Sequence, residues 1–196
     1  MCLSRCRFLA LRVLAWGEFV EQAPNAWSLR KTQGEPSPRI RTLAGSASGG
    51  RWGPRGEFEV LYLGRPTDSV VIEAYRHLVD VDLDGRLTAA MVGPRNLITC
   101  RVRLGRVLDL RDPAALCRAG LTTADLRTPV GDYDACQQVG RAAHQLGLDG
   151  IIAPVASSTG ETLAVFTPHT RPTDSLEITT VERWENLPRD PRSGPA

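Results

Sequence analysis

The residues best suited to chemistry lie in a short glycine-rich segment, residues 49 to 56, with the sequence GGRWGPRG. Four glycines and a proline surround Arg51, Trp52 and Arg55 there. Glycine lets a backbone approach a ligand closely, and the planar guanidinium group of arginine matches the oxygens of a phosphate. The segment therefore indicates either a site for a phosphate-bearing ligand or a tight turn whose arginines lie in solvent.

The second candidate is a carboxylate, Glu73, beside the apolar stripe of a predicted helix. A carboxylate at the border of an apolar surface must be solvated, paired or functional, because burying an unpaired charge is costly. Arg76 and His77 are close enough along the helix to be its partners. The residue alone is explained equally well by such a pair, and its setting has to decide.

Hydroxyl and aromatic side chains complete the set of candidates. Ser157 and Ser158 lie in a Ser/Thr/Gly loop between two predicted strands, without the GxSxG turn of a hydrolase nucleophile. The rings of Trp52, Tyr62 and Tyr75 are suited to stacking on a base, although aromatic residues near strands are more often part of a core. These residues therefore count as possible ligand contacts only if the fold brings them to one cleft.

Several common kinds of site do not match the sequence. The P-loop pattern GxxxxGK[ST] does not occur, and no GxGxxG follows a predicted strand. Neither a metal site nor a disulfide set is expected, because the five cysteines form no CxxC pair and the histidines lie in separate segments. The residues concerned are Cys2, Cys6, Cys100, Cys117, Cys136, His77, His144 and His169.

Composition indicates one globular domain. The chain has 196 residues, of which 42% are hydrophobic and 23% charged. A net charge of +2 with scattered arginines does not suggest a nucleic-acid-binding protein. The apolar run from Arg7 to Trp16 is interrupted by Arg12 and is far shorter than the roughly 20 residues of a membrane span. We expect a cytoplasmic protein without a membrane segment.

The elements that must position the candidates alternate between strands and helices. Periodicity and turn residues predict strands at 58–63, 97–104, 107–110, 150–155 and 161–166. They predict helices from 67 or 68 to about 79, at 113–118 and at 134–146. We expect an N-terminal extension over 1–48, helical at most to residue 20 and then partly loop, a folded domain over 49–185, and a disordered tail over 186–196.

Two blocks in this order, GGRWGPRGEFEVLYLGRPTDSVVIEAYRHL and GLDGIIAPVASSTGETLAVF, resemble the RES-domain family, which is named for an arginine, a glutamate and a serine. The resemblance covers roughly residues 49 to 166. Arg51 matches the family's arginine, Tyr62 the tyrosine of its strand and Glu73 its helical glutamate. The first block carries the most specific part of the resemblance, because the arginine turn, the strand and the helix occur together.

The second block departs from the family pattern at two positions. Val155 follows Pro154 where many members have a serine, and Thr162 stands where an asparagine is frequent. The nearest hydroxyl groups belong to Ser157 and Ser158, two or three residues away. Either one of these serines takes over the third role, or the third function is altered in this protein.

The resemblance implies an α+β fold similar to that of ADP-ribosyltransferases, with small sheets around a cleft and flanking helices. It implies an enzyme that cleaves NAD at the nicotinamide–ribose bond by phosphorolysis or hydrolysis. Arg51 would bind a phosphate of NAD, and Glu73 would hold the ribose and stabilise developing positive charge. Ser157 is then the third catalytic candidate.

By the same resemblance, the contacts to the substrate would come from Trp52, Tyr62, Ser158 and Thr162. No metal or prosthetic group is required, since NAD is a substrate and inorganic phosphate a co-substrate. The family implies a bacterial toxin held inactive by a cognate antitoxin of the helix-turn-helix type, and homo-oligomer formation is compatible with it. Two alternatives remain: a RES-like binding module with altered catalysis, and transfer of ADP-ribose to a protein.

Overall fold

The computed structural model describes residues 18–21, 49–80, 82, 84–157, 160–166 and 175–193. Their centre is a seven-stranded sheet, in which neighbouring strands are antiparallel except for the parallel pair β4 and β5. The strands follow the spatial order β4-β5-β6-β2-β1-β3-β7. Their bounds are β1 Glu18–Glu21, β2 Val60–Arg65, β3 Arg95–Arg103, β4 Val107–Asp109, β5 Gly150–Pro154, β6 Glu161–Phe166 and β7 Ser175–Trp184.

Among the described residues, four α-helices and two 3-10 turns accompany the sheet. The helices are α1 Thr67–Leu78, α2 Pro113–Arg118, α3 Thr123–Leu126 and α4 Asp134–Gln145, and the turns are Ala89–Met91 and Pro191–Ser193. Local chemistry explains two helix starts. The Asp112 side chain accepts a hydrogen bond from the backbone N–H of Ala114, and Thr122 forms a reciprocal capping box with Asp125. No helix in the described part of the chain has the length and apolar character that crossing a membrane requires.

Strands β2, β5 and β6 at the centre of the sheet are buried on both faces, which explains their largely apolar sequences. Alternate residues of β2 contribute to different clusters: Val60 packs with Trp52 and Phe166, whereas Leu61 and Leu63 pack on the other side. Helices α2, α3 and α4 cover the first face, and residues of β3 and β7 complete the cluster on the second. This arrangement agrees with the α+β fold expected from the sequence.

Local patterns predicted most strands and α-helices to within about two residues, but one α-helix, two strands and both 3-10 turns were missed. Helix α3 and strand β7 were not predicted, and residues 18–21 form a strand where a helix was expected. The rest of the predicted N-terminal helix lies outside the described residues. Strand β7 is stabilised by its long antiparallel pairing with β3, interrupted by an irregularity between Thr99 and Cys100. Such non-local pairing leaves only a weak local signal.

Residues 186 to 193 belong to the segment that we expected to be a disordered tail, and in the structure they make defined contacts with helix α1 and with one another. Leu187 is buried, and the hydroxyl group of Tyr75 on α1 donates a hydrogen bond to the carbonyl oxygen of Pro188 at 3.0 Å. Arg192 forms ion pairs with Asp80 and Asp190, both at 2.7 Å. The segment after β7 therefore packs along α1 and helps to fix that helix against the sheet.

Candidate functional site

A cavity of about 630 Å³ collects most of the residues that the sequence singled out. Its walls come from the glycine-rich segment, helix α1, the ends of β3 and β7, the region between α3 and α4, and the end of β5. Cavities of this size and mixed polarity are typical of binding sites for small molecules and cofactors. The candidates are therefore brought together from segments that are distant in sequence.

Helix α1 presents one stripe of residues to the cavity. The stripe consists of Val70, Glu73, Ala74, His77 and Leu78, which share one face at helical spacing. The carboxylate of Glu73, which borders the apolar stripe of this helix, thus lies in a cavity wall. Its unusual position in the sequence is explained by a cleft, and not by an ordinary solvent-exposed helix border.

Glu73 is only 8% exposed, and its charge is partly compensated on its own helix. Oε1 accepts a hydrogen bond from Nη1 of Arg76 at 2.9 Å, and Oε2 lies 3.9 Å from Nε2 of His77. Burial lowers the pKa of His77, although the negative charge of Glu73 opposes this effect. The imidazole is therefore mostly neutral near pH 7, and Arg76 is the cation that supports the carboxylate.

Arg51 is held in the cavity wall by neutral groups. Its Nη1 donates to the carbonyl oxygen of Asp125 and to Oγ1 of Thr128, both at 2.9 Å, and its Nη2 donates to the carbonyl oxygen of Thr128 at 3.1 Å. The guanidinium group also lies 4.5 Å from the centre of the Tyr133 ring. No carboxylate among the described residues pairs with Arg51. Its guanidinium group is therefore oriented by neutral partners, and its positive charge remains available to a ligand.

The glycine at position 50 is explained by Tyr62. A Cβ atom at Gly50 would lie 2.7 Å from the hydroxyl oxygen of Tyr62, which is closer than real contacts allow. That hydroxyl oxygen accepts a hydrogen bond from the backbone N–H of Trp52 at 2.9 Å. Burial raises the pKa of Tyr62 well above its ordinary value, so the phenol stays protonated. Tyr62 thus fixes the arginine turn while also lining the cavity.

Trp52 is among the residues that line the cavity, as the sequence led us to expect. Its side chain is fully buried in the core cluster that joins the sheet to α4, so its ring faces are not available for stacking on a ligand. The expected contact of Trp52 with a substrate stays a prediction, although its buried ring is not placed for stacking. The Trp52 ring is buried by packing against α4, which is distant in sequence, and the residues next to Arg51 do not indicate this burial.

Helix α4 approaches Trp52 so closely that only glycine fits at the contact. A Cβ atom at Gly140 would lie 2.0 Å from the backbone carbonyl oxygen of Trp52. We predict that Gly140→Ala destabilises the protein by about 1 to 3 kcal/mol, although alanine favours helices more than glycine does. Denaturant unfolding measures the change. The exposed substitution Gln138→Ala on the same helix is the control, and an unchanged or higher stability of Gly140→Ala would contradict the close contact.

Of the residues expected from the second sequence block, Thr162 lines the cavity and Ser157 does not. Val155 is buried and lines the cavity, where many family members have a serine. Thr162 also lines it, and its Oγ1 donates to the carbonyl oxygen of Leu63 at 3.2 Å. Oγ of Ser157 is buried without a hydrogen-bond partner among the described residues, and Ser157 is not part of the cavity wall. Ser158 lies outside the described residues.

Ser157 can be tested directly. We predict that Ser157→Ala leaves kcat/KM for the NAD cleavage implied by the family resemblance within about twofold of the wild-type value, because Ser157 is not part of the cavity wall. Removing a buried hydroxyl that has no partner should not lower stability either. Steady-state kinetics and thermal unfolding of the same preparation provide both readings. A loss of activity of tenfold or more in a folded variant would restore Ser157 as a catalytic residue.

Several cavity residues carry no local signal in the sequence. Arg95, Asn96 and Trp184 reach the cavity because β3 pairs with the unpredicted strand β7. Gln137 on α4 lines it as well, and its Nε2 donates to the carbonyl oxygen of Gly50 at 3.0 Å. Among the described lining residues the guanidinium groups outnumber the carboxylates, with Arg51, Arg55 and Arg95 against Glu73. This excess of positive charge suits a ligand with phosphate groups.

The fold and the site together define an α+β domain whose cleft combines an arginine turn, a strand tyrosine and a helical glutamate. The model of the RES domain family matches residues 25–185. The chain therefore belongs to the RES domain family.

Curated relatives and a solved structure agree with this assignment. The NAD(+) phosphorylases MbcT of Mycobacterium bovis and of Mycobacterium tuberculosis are each 32% identical to the chain over 126 residues. The match covers 63% of the chain and 64% of each relative, so the chain spans less than two thirds of their length. A chain in the crystal structure of the M. tuberculosis MbcT-MbcA toxin-antitoxin complex superposes with a TM-score of 0.59 at 24% identity, covering 85% and 87% of the two chains. That likeness confirms the fold.

Proposed function

We propose that this protein cleaves NAD at the bond between nicotinamide and ribose, with inorganic phosphate as the acceptor. The observation that carries the proposal is the cavity itself, where the buried carboxylate of Glu73 and three guanidinium groups line one space. NAD combines a cationic leaving group with two phosphate groups, so it requires both kinds of charge. The name of the curated relatives, NAD(+) phosphorylase, supports the same substrate and reaction.

For this reaction the protein must position the substrate and stabilise charge in the transition state, more than it must activate the leaving group. The bond between ribose C1′ and the nicotinamide nitrogen breaks, its electron pair stays on that nitrogen, and neutral nicotinamide leaves. A phosphate oxygen then forms the new bond to C1′, giving ADP-ribose 1″-phosphate. Positive charge develops on the ribose in the transition state, and the negative charge of Glu73 stabilises it there.

Arg51 binds a phosphate group in this proposal. Its contacts with Asp125 and Thr128 hold the guanidinium group in place before the ligand arrives, so little reorganisation is needed. Tyr62 lines the same space and contacts the substrate, and Thr162 offers a hydroxyl group on the cavity wall. Arg76 keeps the carboxylate of Glu73 oriented from within the helix.

Excess positive charge in the cavity favours phosphate over water as the acceptor. Hydrolysis would give ADP-ribose from the same transition state, and a protein acceptor would give an ADP-ribosylated target. A specific observation favours one further candidate: Val155 replaces the serine frequent in the family, and Ser157 does not reach the cavity. A RES-like binding module that holds NAD without cleaving it is therefore the second candidate function.

The cellular role that fits an NAD-consuming enzyme is that of a toxin in the bacterial cytoplasm, restrained by a cognate antitoxin. The structural neighbour is named as part of a toxin-antitoxin complex, which supports this role. Val130 is 44% exposed at the cavity, and such an apolar side chain suits contact with a protein that covers the opening. We propose a helix-turn-helix protein as the antitoxin; homo-oligomer formation is compatible with the proposal.

Product analysis tests the proposed reaction. Purified protein free of antitoxin is incubated with NAD, with and without inorganic phosphate, and the products are separated and identified by mass. We expect nicotinamide release that depends on phosphate, with ADP-ribose 1″-phosphate as the second product. Plain ADP-ribose under both conditions would indicate hydrolysis. Intact NAD that nevertheless binds to the protein would favour the binding module.

A further inference from the structure

Strands β3 and β7 form one wall of the cavity, and this wall contributes neither Arg51 nor Glu73. Arg95 lies opposite Trp184 in the antiparallel pairing of these strands, so both side chains share one face of the sheet. Trp184 and Leu97 pack with Val70 of α1 in a small apolar cluster. All four residues line the cavity, so a guanidinium group and an indole ring lie beside each other there.

Arg95 differs from those arginines of the described chain that form ion pairs. Its Nε is buried and has no hydrogen-bond partner, and no carboxylate among the described residues pairs with it. Ion pairs with carboxylates are formed instead by Arg65, Arg76, Arg111, Arg141 and Arg192. A partly buried guanidinium group without a partner lowers stability, because its desolvation is not compensated. Such a group is retained most readily when a ligand supplies the missing anion.

The number of phosphate groups in the proposed reaction makes a second cationic site useful. Phosphorolysis of NAD brings two phosphoryl groups of the dinucleotide and one inorganic phosphate into the same cavity. Arg51 is already committed through two of its nitrogens to Asp125 and Thr128. Its remaining donors cannot serve every phosphate, and Arg95 approaches the cavity from different strands.

We infer that Arg95, on the wall shared with Trp184, forms a second phosphate-binding subsite of the cavity, separate from Arg51. The inference rests on the proposed function for the identity of the phosphate, which is either that of the dinucleotide or inorganic phosphate. The planar fork of the guanidinium group suits both sources equally. If the phosphate belongs to the dinucleotide, the indole ring of Trp184 lies where it can contact the adjoining nucleoside.

A binding experiment tests the subsite without relying on catalysis. Inorganic phosphate and ADP are titrated into the wild-type protein, Arg95→Gln and Arg183→Gln, and the dissociation constants and thermal shifts are measured. Arg183 is the matched control, because it lies next to Trp184 on β7, is exposed and pairs with Glu185. It also lies outside the cavity lining.

We expect Arg95→Gln to weaken the binding of one of the two probes by about tenfold or more, since a charge-assisted hydrogen bond is lost. Arg183→Gln should bind both probes as the wild type does. The melting temperature of Arg95→Gln without ligand should equal or exceed that of the wild type, because a purely structural arginine would instead lower it on removal. Unchanged affinity of Arg95→Gln for both probes would overturn the inference.

Kinetics then identify the source of the phosphate. A higher KM for inorganic phosphate at saturating NAD assigns Arg95 to the co-substrate, and a higher KM for NAD at saturating phosphate assigns it to the dinucleotide. If the wild type bound phosphate or ADP through Arg95 but did not cleave NAD, the proposed function would fail while the subsite remained.

A conservative variant covers the case in which Arg95→Gln does not fold. Arg95→Lys keeps the positive charge but loses the planar fork of donors. We expect it to fold and to bind the affected probe more weakly than the wild type, though more tightly than a folded uncharged variant would. Binding equal to that of the wild type for both probes, in a protein where Arg95→Gln cannot be measured, would count against a phosphate contact through the fork.

Discussion

Glu73→Gln is expected to lower kcat for NAD cleavage by about a hundredfold to a thousandfold, the usual cost of removing a group that stabilises transition-state charge. Glutamine has nearly the same shape and can still accept the hydrogen bond from Arg76, so the fold should be kept. What is lost is the negative charge beside the ribose. KM for NAD should change much less than kcat, because the interaction strengthens only as positive charge develops.

The control for Glu73→Gln is Asp68→Asn, which removes a carboxylate from the same helix at an exposed position outside the cavity. Its kinetic constants should remain close to those of the wild type. Rapid-quench or continuous measurement of nicotinamide release gives kcat for both variants. A Glu73→Gln enzyme with near-normal kcat would exclude electrostatic stabilisation by this residue. The reacting ribose would then have to bind away from the cavity wall formed by α1.

Arg51→Gln is expected to affect both activity and stability. Activity, as kcat/KM, should fall by about a hundredfold or more, because a charge-assisted contact to phosphate is lost together with the shape of the turn. Stability should fall by about 1 to 3 kcal/mol, because the backbone carbonyls of Asp125 and Thr128 lose a charged donor in a partly buried setting. Kinetics and denaturant unfolding measure the two effects separately.

Arg51→Lys separates charge from geometry. Lysine keeps the positive charge but cannot reproduce three hydrogen bonds from a planar fork, so we expect partial recovery of NAD binding and little recovery of kcat. Arg118→Gln is the control for loss of an arginine, since Arg118 is exposed on α2 and lies outside the cavity. Full activity in both Arg51 variants would show that Arg51 only supports the region between α3 and α4.

The features that could be predicted from the sequence are those formed by residues close together in the chain. Helix α1 could be predicted with its stripe because its periodicity lies within twelve residues, and Glu73 was conspicuous because a carboxylate interrupted that pattern. The arginine turn was visible because its glycines are clustered, and the structure shows that Gly50 leaves room for Tyr62. The family resemblance then indicated that these pieces belong to one site, which no single residue could have shown.

The parts that could not be predicted depend on contacts between distant segments. Trp52 is buried because α4 packs against its backbone at Gly140, 88 positions along the chain. Arg95 and Trp184 meet because β7 pairs with β3, and β7 follows residues whose sequence is polar and rich in turn formers. Ser157 is not part of the cavity wall, and the short segment around it carries no pattern that would have predicted this.

If the proposed function is right, NAD binds in this cavity with its reacting ribose beside Glu73. A crystal structure of Glu73→Gln with NAD is the sharpest test, because the variant should bind the substrate while turning it over slowly. We expect the nicotinamide ribose next to residue 73, with a phosphate group within hydrogen-bond distance of Arg51. NAD bound elsewhere on the protein, or a folded variant and wild type that both fail to bind NAD, would contradict it.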